Sequence, residues 1–141
     1  MLNIKKLLAH LLQTVPVVLY YDDGVADTAD VVFSKNATGY EKIEIFCKDN
    51  DGKRGSVSVF KPNIGQSIAV SICSINASNT SAFIKSKTYS FQGTYLERRK
   101  QSNGTYGFNG QGAISGSNVS SVASGGVYLT ITAVIGYKKL G

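Results

Sequence analysis

The feature that most constrains the fold is an alternation of apolar and polar residues within short segments. Neighbouring side chains of a β-strand point to opposite faces, so a half-buried strand carries apolar residues at every second position. The clearest segment lies near the C-terminus, where Leu129, Ile131, Ala133 and Ile135 alternate with Tyr128, Thr130, Thr132 and Val134. This segment predicts a long central strand that ends at Gly136.

Similar short segments, separated by turn-forming residues, recur along the chain. They predict strands at 17–21, 31–33, 43–47, 57–59 and 68–73, two strands about Gly93 within 83–100, and a weak strand at 113–114. The rest of 103–125 is rich in Gly, Ser and Asn, which indicates long loops. Short strands at regular intervals are typical of sandwiches and barrels. We therefore predict a mainly β chain, an antiparallel β-sandwich of jelly-roll type.

The tetrapeptide Asp49–Gly52, Asp-Asn-Asp-Gly, is a strong hairpin signal because Asn, Asp and Gly tolerate positive φ. It also resembles the start of a calcium-binding loop. Phe60 stands where such a loop has its bidentate glutamate, twelve positions from the start. The segment predicts a turn that holds no metal.

The N-terminus has the spacing of a helical seam. Met1, Ile4, Leu8, Leu11 and Val15 recur at gaps of three and four, and Leu7 and Leu12 widen the apolar stripe. We predict a short N-terminal helix over 1–15, ended by Pro16, and a β domain over 16–141. A helix this short is marginal alone in water, so it packs either on its own domain or on copies of itself. The residues assigned to the oligomer contact are Ile4, Leu7, Leu8, Leu11, Leu12 and Val15.

The chain is basic, with a formal net charge of +6 and a pI of about 9.3. Such a surplus favours an anionic partner, although solubility alone also explains it. The densest basic run includes Arg98 and Arg99, with Tyr95 and Tyr106 nearby. These four residues are the candidate ligand site, for a phosphate or an acidic sugar, and the alternative is a solvated strand end. No nucleic-acid module surrounds them, so we expect no nucleic-acid partner.

No catalytic constellation, metal site or cofactor site is predicted. His10 is the only histidine and has no evident orienting partner, while the acidic loops 22–30 and 49–51 are weak evidence for a glycosidase pair. Cys47 and Cys73 lack metal-ligand spacing and are predicted to be two buried thiols, with one disulfide as the alternative if the strands bring their Cα atoms within about 7 Å. No stretch reaches the roughly 18 to 20 apolar residues of a membrane span, so no membrane insertion is expected.

The segment 39–62 resembles small bacteriophage or prophage tail and fibre proteins. There, a hairpin with Tyr-x-x-Ile-x-Ile and Asp-Asn-Asp-Gly leads into a Ser-Val-x-Val strand. The C-terminal segment 127–138 and the opening 2–8 are similar to theirs too, so the likeness covers about half the chain.

The resemblance implies a receptor-binding-type virion component that is made in the bacterial host cytoplasm and forms a trimer or another multimer. It implies contacts with other virion proteins and with a host surface, where an anionic glycan is the expected ligand. These motifs are strands and turns, so they carry no catalytic residue. Two rival functions stay open: an extracellular carbohydrate-binding or adhesin module, and a polysaccharide-degrading tail enzyme.

Overall fold

The computed structural model describes residues 3–6, 8, 13–22, 30–75, 82–98, 109–115, 118–124 and 129–140. Within these ranges the chain is mainly β, and ten strands form two antiparallel sheets. The strands are β1 (Thr14–Tyr21), β2 (Val31–Val32), β3 (Lys42–Asp49), β4 (Arg54–Phe60), β5 (Ser67–Ile75), β6 (Ala82–Phe91), β7 (Tyr95–Arg98), β8 (Asn109–Ser115), β9 (Asn118–Ser124) and β10 (Leu129–Lys139).

Pairings between early and late strands build both sheets. The first sheet has the order β1-β10-β3-β4, and the second has the order β2-β7-β6-β8-β9. Strand β6 is central to the second sheet: β5 pairs along one edge, while β7 and β8 share the other edge, at residues 89–91 and 82–87 respectively. The chain passes from the first sheet to the second between β1 and β2, and returns before β3.

Buried side chains from both sheets form one hydrophobic core. Strand β3 alternates strictly between buried and half-buried residues, and its inward face carries Ile43, Ile45 and Cys47. The second sheet contributes Tyr89 and Phe91 of β6, each fully buried, together with inward residues of β5 and β7. Burial of an aliphatic or aromatic side chain of this size contributes about 1.5 to 3 kcal/mol relative to exposure, so this shared core holds the two sheets together.

The predicted strands are present, but the long loops predicted within 103–125 are wrong in part. Residues 109–115 and 118–124 form a hairpin of β8 and β9, and β8 pairs with β6. Gly, Ser and Asn have little intrinsic preference for strands, so composition indicated a loop. Strand preference depends strongly on neighbours, and pairing with β6 outweighs it here.

The faces predicted for the last strand change midway because of a β-bulge. Ile131 pairs with Cys47 and Ala133 pairs with Phe46, so Thr132 is an extra residue without a partner in β3. A bulge of one residue reverses the alternation beyond it. Val134 is therefore buried, whereas Ala133 and its neighbour two residues later are only half-buried. The strand also continues past the predicted end, to residue 139.

The N-terminal segment is helical at residues 4–6 and 8, and the side chain of Asn3 caps it. Asn3 Oδ1 accepts hydrogen bonds from the backbone N–H groups of Lys5 and Lys6 at 3.0 and 3.3 Å. Strand β1 begins at Thr14, so Val15 and Pro16 belong to the strand and the predicted helix end at residue 15 is wrong. Pro16 is tolerated because β1 is an edge strand, where a missing N–H breaks no sheet.

The prediction of two buried thiols holds for Cys47 alone. Cys47 is 1% exposed, and its thiol lies 3.5 Å from the carbonyl oxygen of Gly55. Burial raises the pKa of Cys47 to about 11, so the thiol stays protonated at neutral pH. Cys73 is free and exposed, because it shares the outward face of β5 with Ser71.

Gly136→Ala is expected to destabilise the fold by about 1 to 3 kcal/mol, the usual cost of overpacking a core. A Cβ at Gly136 would lie 2.6 Å from two ring carbons of Tyr40 and 2.9 Å from Leu19 Cδ1. Urea unfolding followed by circular dichroism measures the change. Gly55→Ala is the milder control, since its closest neighbour is Ile72 Cγ1 at 3.1 Å. Equal stability of Gly136→Ala and the parent would contradict this packing.

Candidate functional site

The Asp49–Gly52 turn closes β3 onto β4, as the sequence predicts. Gly52 has a φ of +84°, the left-handed conformation expected of glycine in such a turn. The Oδ1 atom of Asp49 accepts hydrogen bonds from the N–H groups of Asp51 and Lys53 at 3.0 and 2.8 Å. The turn is therefore held by a side chain of its own first residue.

The ammonium group of Lys85, a residue of the other sheet, lies among the side-chain oxygen atoms of this turn. Lys85 projects from β6, and its Nζ lies 3.2 Å from Asp49 Oδ2, 2.6 Å from Asn50 Oδ1 and 2.7 Å from Asp51 Oδ2. The side chain of Lys85 is 1% exposed and that of Asp49 is fully buried. We call this set the lysine clamp. It links the two sheets through a buried ion pair with three oxygen acceptors.

The contacts within the lysine clamp favour the charged forms of Lys85 and Asp51. Burial alone would lower the pKa of Lys85, but hydrogen bonds to Asp51 and Asp49 outweigh it and raise the pKa above its ordinary 10.5. The hydrogen bond from Lys85 lowers the pKa of Asp51 below 3.8. Lys85 is therefore a cation and not a nucleophilic amine at neutral pH, and the clamp acts as a structural link.

One sequence signal for the clamp lies in β6, outside the motifs described above. Lys85, Lys87, Tyr89 and Phe91 occupy alternate positions of β6 and are all buried. Two lysines at the inward positions of an otherwise apolar strand need partners, because a buried charge is stable only when it is paired. That pattern predicts an acidic partner but does not say where in the chain it lies.

The predicted ligand site is only partly within the described residues. Arg99 and Tyr106 lie outside them, while Tyr95 and Arg98 are the first and last residues of β7. Arg98 pairs with inward-facing Tyr89, whereas Tyr95 pairs with Val32, which is exposed. The two side chains leave opposite faces of β7, because residues three apart in a strand do not share a face. The structure does not bring them together.

The residues assigned to the oligomer contact are likewise divided. Ile4 and Leu8 are helical and are 68% and 52% exposed, and Val15 lies on β1 and is 42% exposed. Leu7, Leu11 and Leu12 lie outside the described residues. Packing of the helix on its own domain, one of the two alternatives from the sequence, therefore does not cover Ile4 or Leu8.

An open cleft lies at the end of the β3-β4 hairpin opposite the lysine clamp. The loops 38–41 and 61–64 enclose a volume of about 420 Å³, which we call the loop cleft. Lys61 bridges the two loops: its backbone N–H donates to the Glu41 carbonyl at 2.9 Å, and its Nζ lies 3.9 Å from Glu41 Oε2. Small-ligand sites commonly have volumes of about 300 to 1,000 Å³, so the loop cleft is large enough for one.

Backbone hydrogen bonds hold both walls of the loop cleft against the β6-β7 turn. The N–H of Ala37 donates to the Gly93 carbonyl at 2.8 Å, and the N–H of Gly65 donates to the Phe91 carbonyl at 2.7 Å. Gly93 is required there, since it has a φ of +82° and a Cβ would lie 2.5 Å from Thr38 Oγ1. These contacts fix the backbone on both sides of the cleft.

Lys61 has the only positive φ among the non-glycine residues that the structure describes, at 44°. A non-glycine residue in this region is strained, and residues that precede a proline, as Lys61 precedes Pro62, are restricted further. Strain of this kind costs about 1 to 3 kcal/mol and is concentrated at functional sites. The sequence offered no sign of it beyond the Pro-Asn-Ile-Gly turn that follows.

Comparison with known proteins gives no match, neither to a protein-family model, nor to a curated protein, nor to a solved structure. Within the described part of the chain, no group of three or more His, Cys, Asp or Glu residues is placed to hold a metal ion. Over those same ranges, no helix is long and apolar enough to cross a membrane.

Lys85→Met is expected to destabilise the protein by about 3 to 5 kcal/mol, because it leaves the buried Asp49 carboxylate without its cation. Chemical unfolding measures the loss. Asp49→Asn in the Lys85→Met background removes the stranded charge and keeps an oxygen acceptor for the turn. Part of the stability should then return, which makes the two changes non-additive. Additive losses would mean that the two side chains do not interact.

The clamp also predicts how stability changes with pH. The lowered pKa of Asp51 adds stability above pH 3.8 that is lost as the pH falls further, and the raised pKa of Lys85 adds stability below pH 10.5 that is lost as the pH rises through its folded-state pKa. The stability difference between the parent and Asp51→Asn should be constant between about pH 5 and about pH 9 and should shrink below pH 4. A difference that stays unchanged in acid would exclude an ionised Asp51 in the clamp.

Proposed function

We propose that the protein is a non-enzymatic structural component of a bacteriophage tail or fibre, which assembles as a homotrimer and contributes to binding the host surface. The observation that carries the proposal is the exposure of Ile4 and Leu8, which are four residues apart on one side of the helical segment. A short helix is stable in water only when its apolar side packs on something. Copies of the same segment are the partner that is always present.

Three copies account for the apolar positions better than two. Leu7 and Leu12 flank the seam in the sequence, so the stripe is wider than the narrow seam of a two-stranded coil. Closed rotational symmetry also suits a fibre, in which identical chains surround one axis. Each leucine that becomes buried contributes about 1.5 to 3 kcal/mol, which is sufficient for a few residues per chain to sustain assembly.

The strand order supports a jelly-roll type of β-sandwich as the scaffold. Strand β1 lies in the first sheet, β2 in the second and β3 again in the first. Early strands pair with late strands, β1 with β10 and β2 with β7. Winding of this kind is how a jelly roll brings distant strands together. Four pairs of consecutive strands stay within one sheet and depart from that pattern: β3-β4, β5-β6, β6-β7 and β8-β9.

The remaining features of the proposal follow from the tail-protein resemblance of segments 39–62 and 127–138. They are contact with other virion proteins, a place in the virion after synthesis in the bacterial cytoplasm, and recognition of a glycan on the host surface.

One observation argues against the alternative of a polysaccharide-degrading enzyme. Asp49 and Asp51 both contact Lys85, so this acidic pair is not available to act as a glycosidase dyad.

Light scattering coupled to size exclusion tests the assembly. We expect a trimeric mass for the intact chain at micromolar concentration, and a lower mass for Leu8→Ser with an unchanged unfolding midpoint. Val32→Ser is the matched control, since Val32 is 66% exposed on β2 and should leave the mass unchanged. A monomeric mass for the intact chain would contradict the proposed trimer.

The setting and the absence of catalysis are tested separately. Mass spectrometry of purified phage particles should detect the chain, whereas an extracellular adhesin module would be missing from them. Incubation of the purified protein with host envelope polysaccharides should release no sugar. Release of sugar would replace the structural role with the enzymatic one.

A further inference from the structure

We propose that the loop cleft is a binding site for a neutral, hydroxyl-rich sugar ring, a different ligand class from the anionic glycan expected from the sequence. The inference rests on the proposed host-surface role and specifies the ligand of that role. The two loops present opposite charges to the same space. Lys61 Nζ lies 3.9 Å from Glu41 Oε2, an ion pair longer than a direct hydrogen bond. A ligand hydroxyl group beside this pair can bridge it from the side, because it accepts from the ammonium and donates to the carboxylate.

The exposure of the two charged side chains differs in a way that suits this role. The Lys61 side chain is 71% exposed and reaches into solvent at the rim, while the Glu41 side chain is 11% exposed and fixed in the wall. The fixed carboxylate orients a ligand and the exposed ammonium closes over it. Since the two charges cancel within the cleft, a ligand with its own negative charge gains attraction from Lys61 and repulsion from Glu41.

The rest of the lining has the mixed character of a carbohydrate site. Ile64 is 57% exposed, which gives an apolar surface for the C–H face of a ring. Thr38 lines the cleft on the opposite loop. Sites of this kind combine an apolar wall with a few placed polar groups that fix the orientation of the ligand.

The strain at Lys61 is explained by the same proposal. A glycine would adopt a φ of 44° without cost, so the fold does not require lysine at this position. The backbone there is stabilised by its hydrogen bond to the Glu41 carbonyl and holds the ammonium over the cleft. A contact between the Lys61 side chain and a ligand explains why a strained lysine, and not an unstrained glycine, occupies this position.

Titration of the isotope-labelled full-length protein with methyl glucoside and with sodium glucuronate, followed by amide chemical shifts, tests the proposal. The two probes share a ring and differ in charge. We expect saturable shifts at residues 38–41 and 61–64 with methyl glucoside, and weaker binding of glucuronate. Absence of saturable shifts with the glucoside, or tighter binding of the glucuronate, would overturn the proposal.

Lys61→Gly separates binding from folding. Glycine relieves the strained φ, so the unfolding midpoint should stay equal or rise, while the affinity for methyl glucoside should fall about tenfold or more, as for one lost hydrogen bond from a charged donor. Lys53→Ala, an exposed lysine beside the opposite end of the hairpin, is the matched control and should bind as the parent does. Unchanged binding by Lys61→Gly would show that Lys61 does not contact the ligand and would contradict the proposed site.

The trimeric mass is measured independently of these titrations, so a failure to bind sugar leaves the proposed assembly intact.

Discussion

The ion pair between Lys85 and Asp49 is the interaction on which the arrangement of the two sheets depends. A charged ammonium at 1% exposure is costly to bury, and it is stable here because the turn between β3 and β4 surrounds it with three oxygen atoms. The hydrophobic core favours contact between the sheets but does not select one alignment strongly, since apolar packing is not directional. The lysine clamp selects it, because a shift of one strand position would move Lys85 out of reach of the turn.

The clamp also explains the calcium-like sequence of the turn. Carboxylate and amide oxygens attract any small cation, and in this chain the cation is covalently attached to the neighbouring sheet. An Asp-Asn-Asp-Gly turn is therefore both a hairpin and an anchor. The motif indicated the hairpin, because hairpin geometry is local, whereas the anchor depends on a residue 36 positions away.

The parts of the fold that follow local rules were predictable. Strands β3, β5 and β10 carry alternating apolar residues, and Gly52 has the positive φ that its turn requires. The parts that depend on distant neighbours were not. The bulge at Thr132 reflects pairing with β3, the hairpin of β8 and β9 is supported by β6, and the loop cleft is formed by loops that meet only after the sheets assemble. The separation of Tyr95 from Arg98 was predictable from the sequence. Side chains alternate between the two faces of a strand, so residues three apart lie on opposite faces.

The antiparallel pairing of β1 with β10 has a mechanical consequence. Thr14 pairs with Lys139, and the N–H of Leu140 donates to the Gln13 carbonyl, so the chain enters and leaves the β domain at the same end. A force that pulls these two ends apart would break the hydrogen-bonded pairs between β1 and β10 one after another. A force applied between the N-terminal segment and the far end of the domain would instead act on all pairs between β1 and β10 at once. The fold therefore resists force along its strands far better than force that parts its termini.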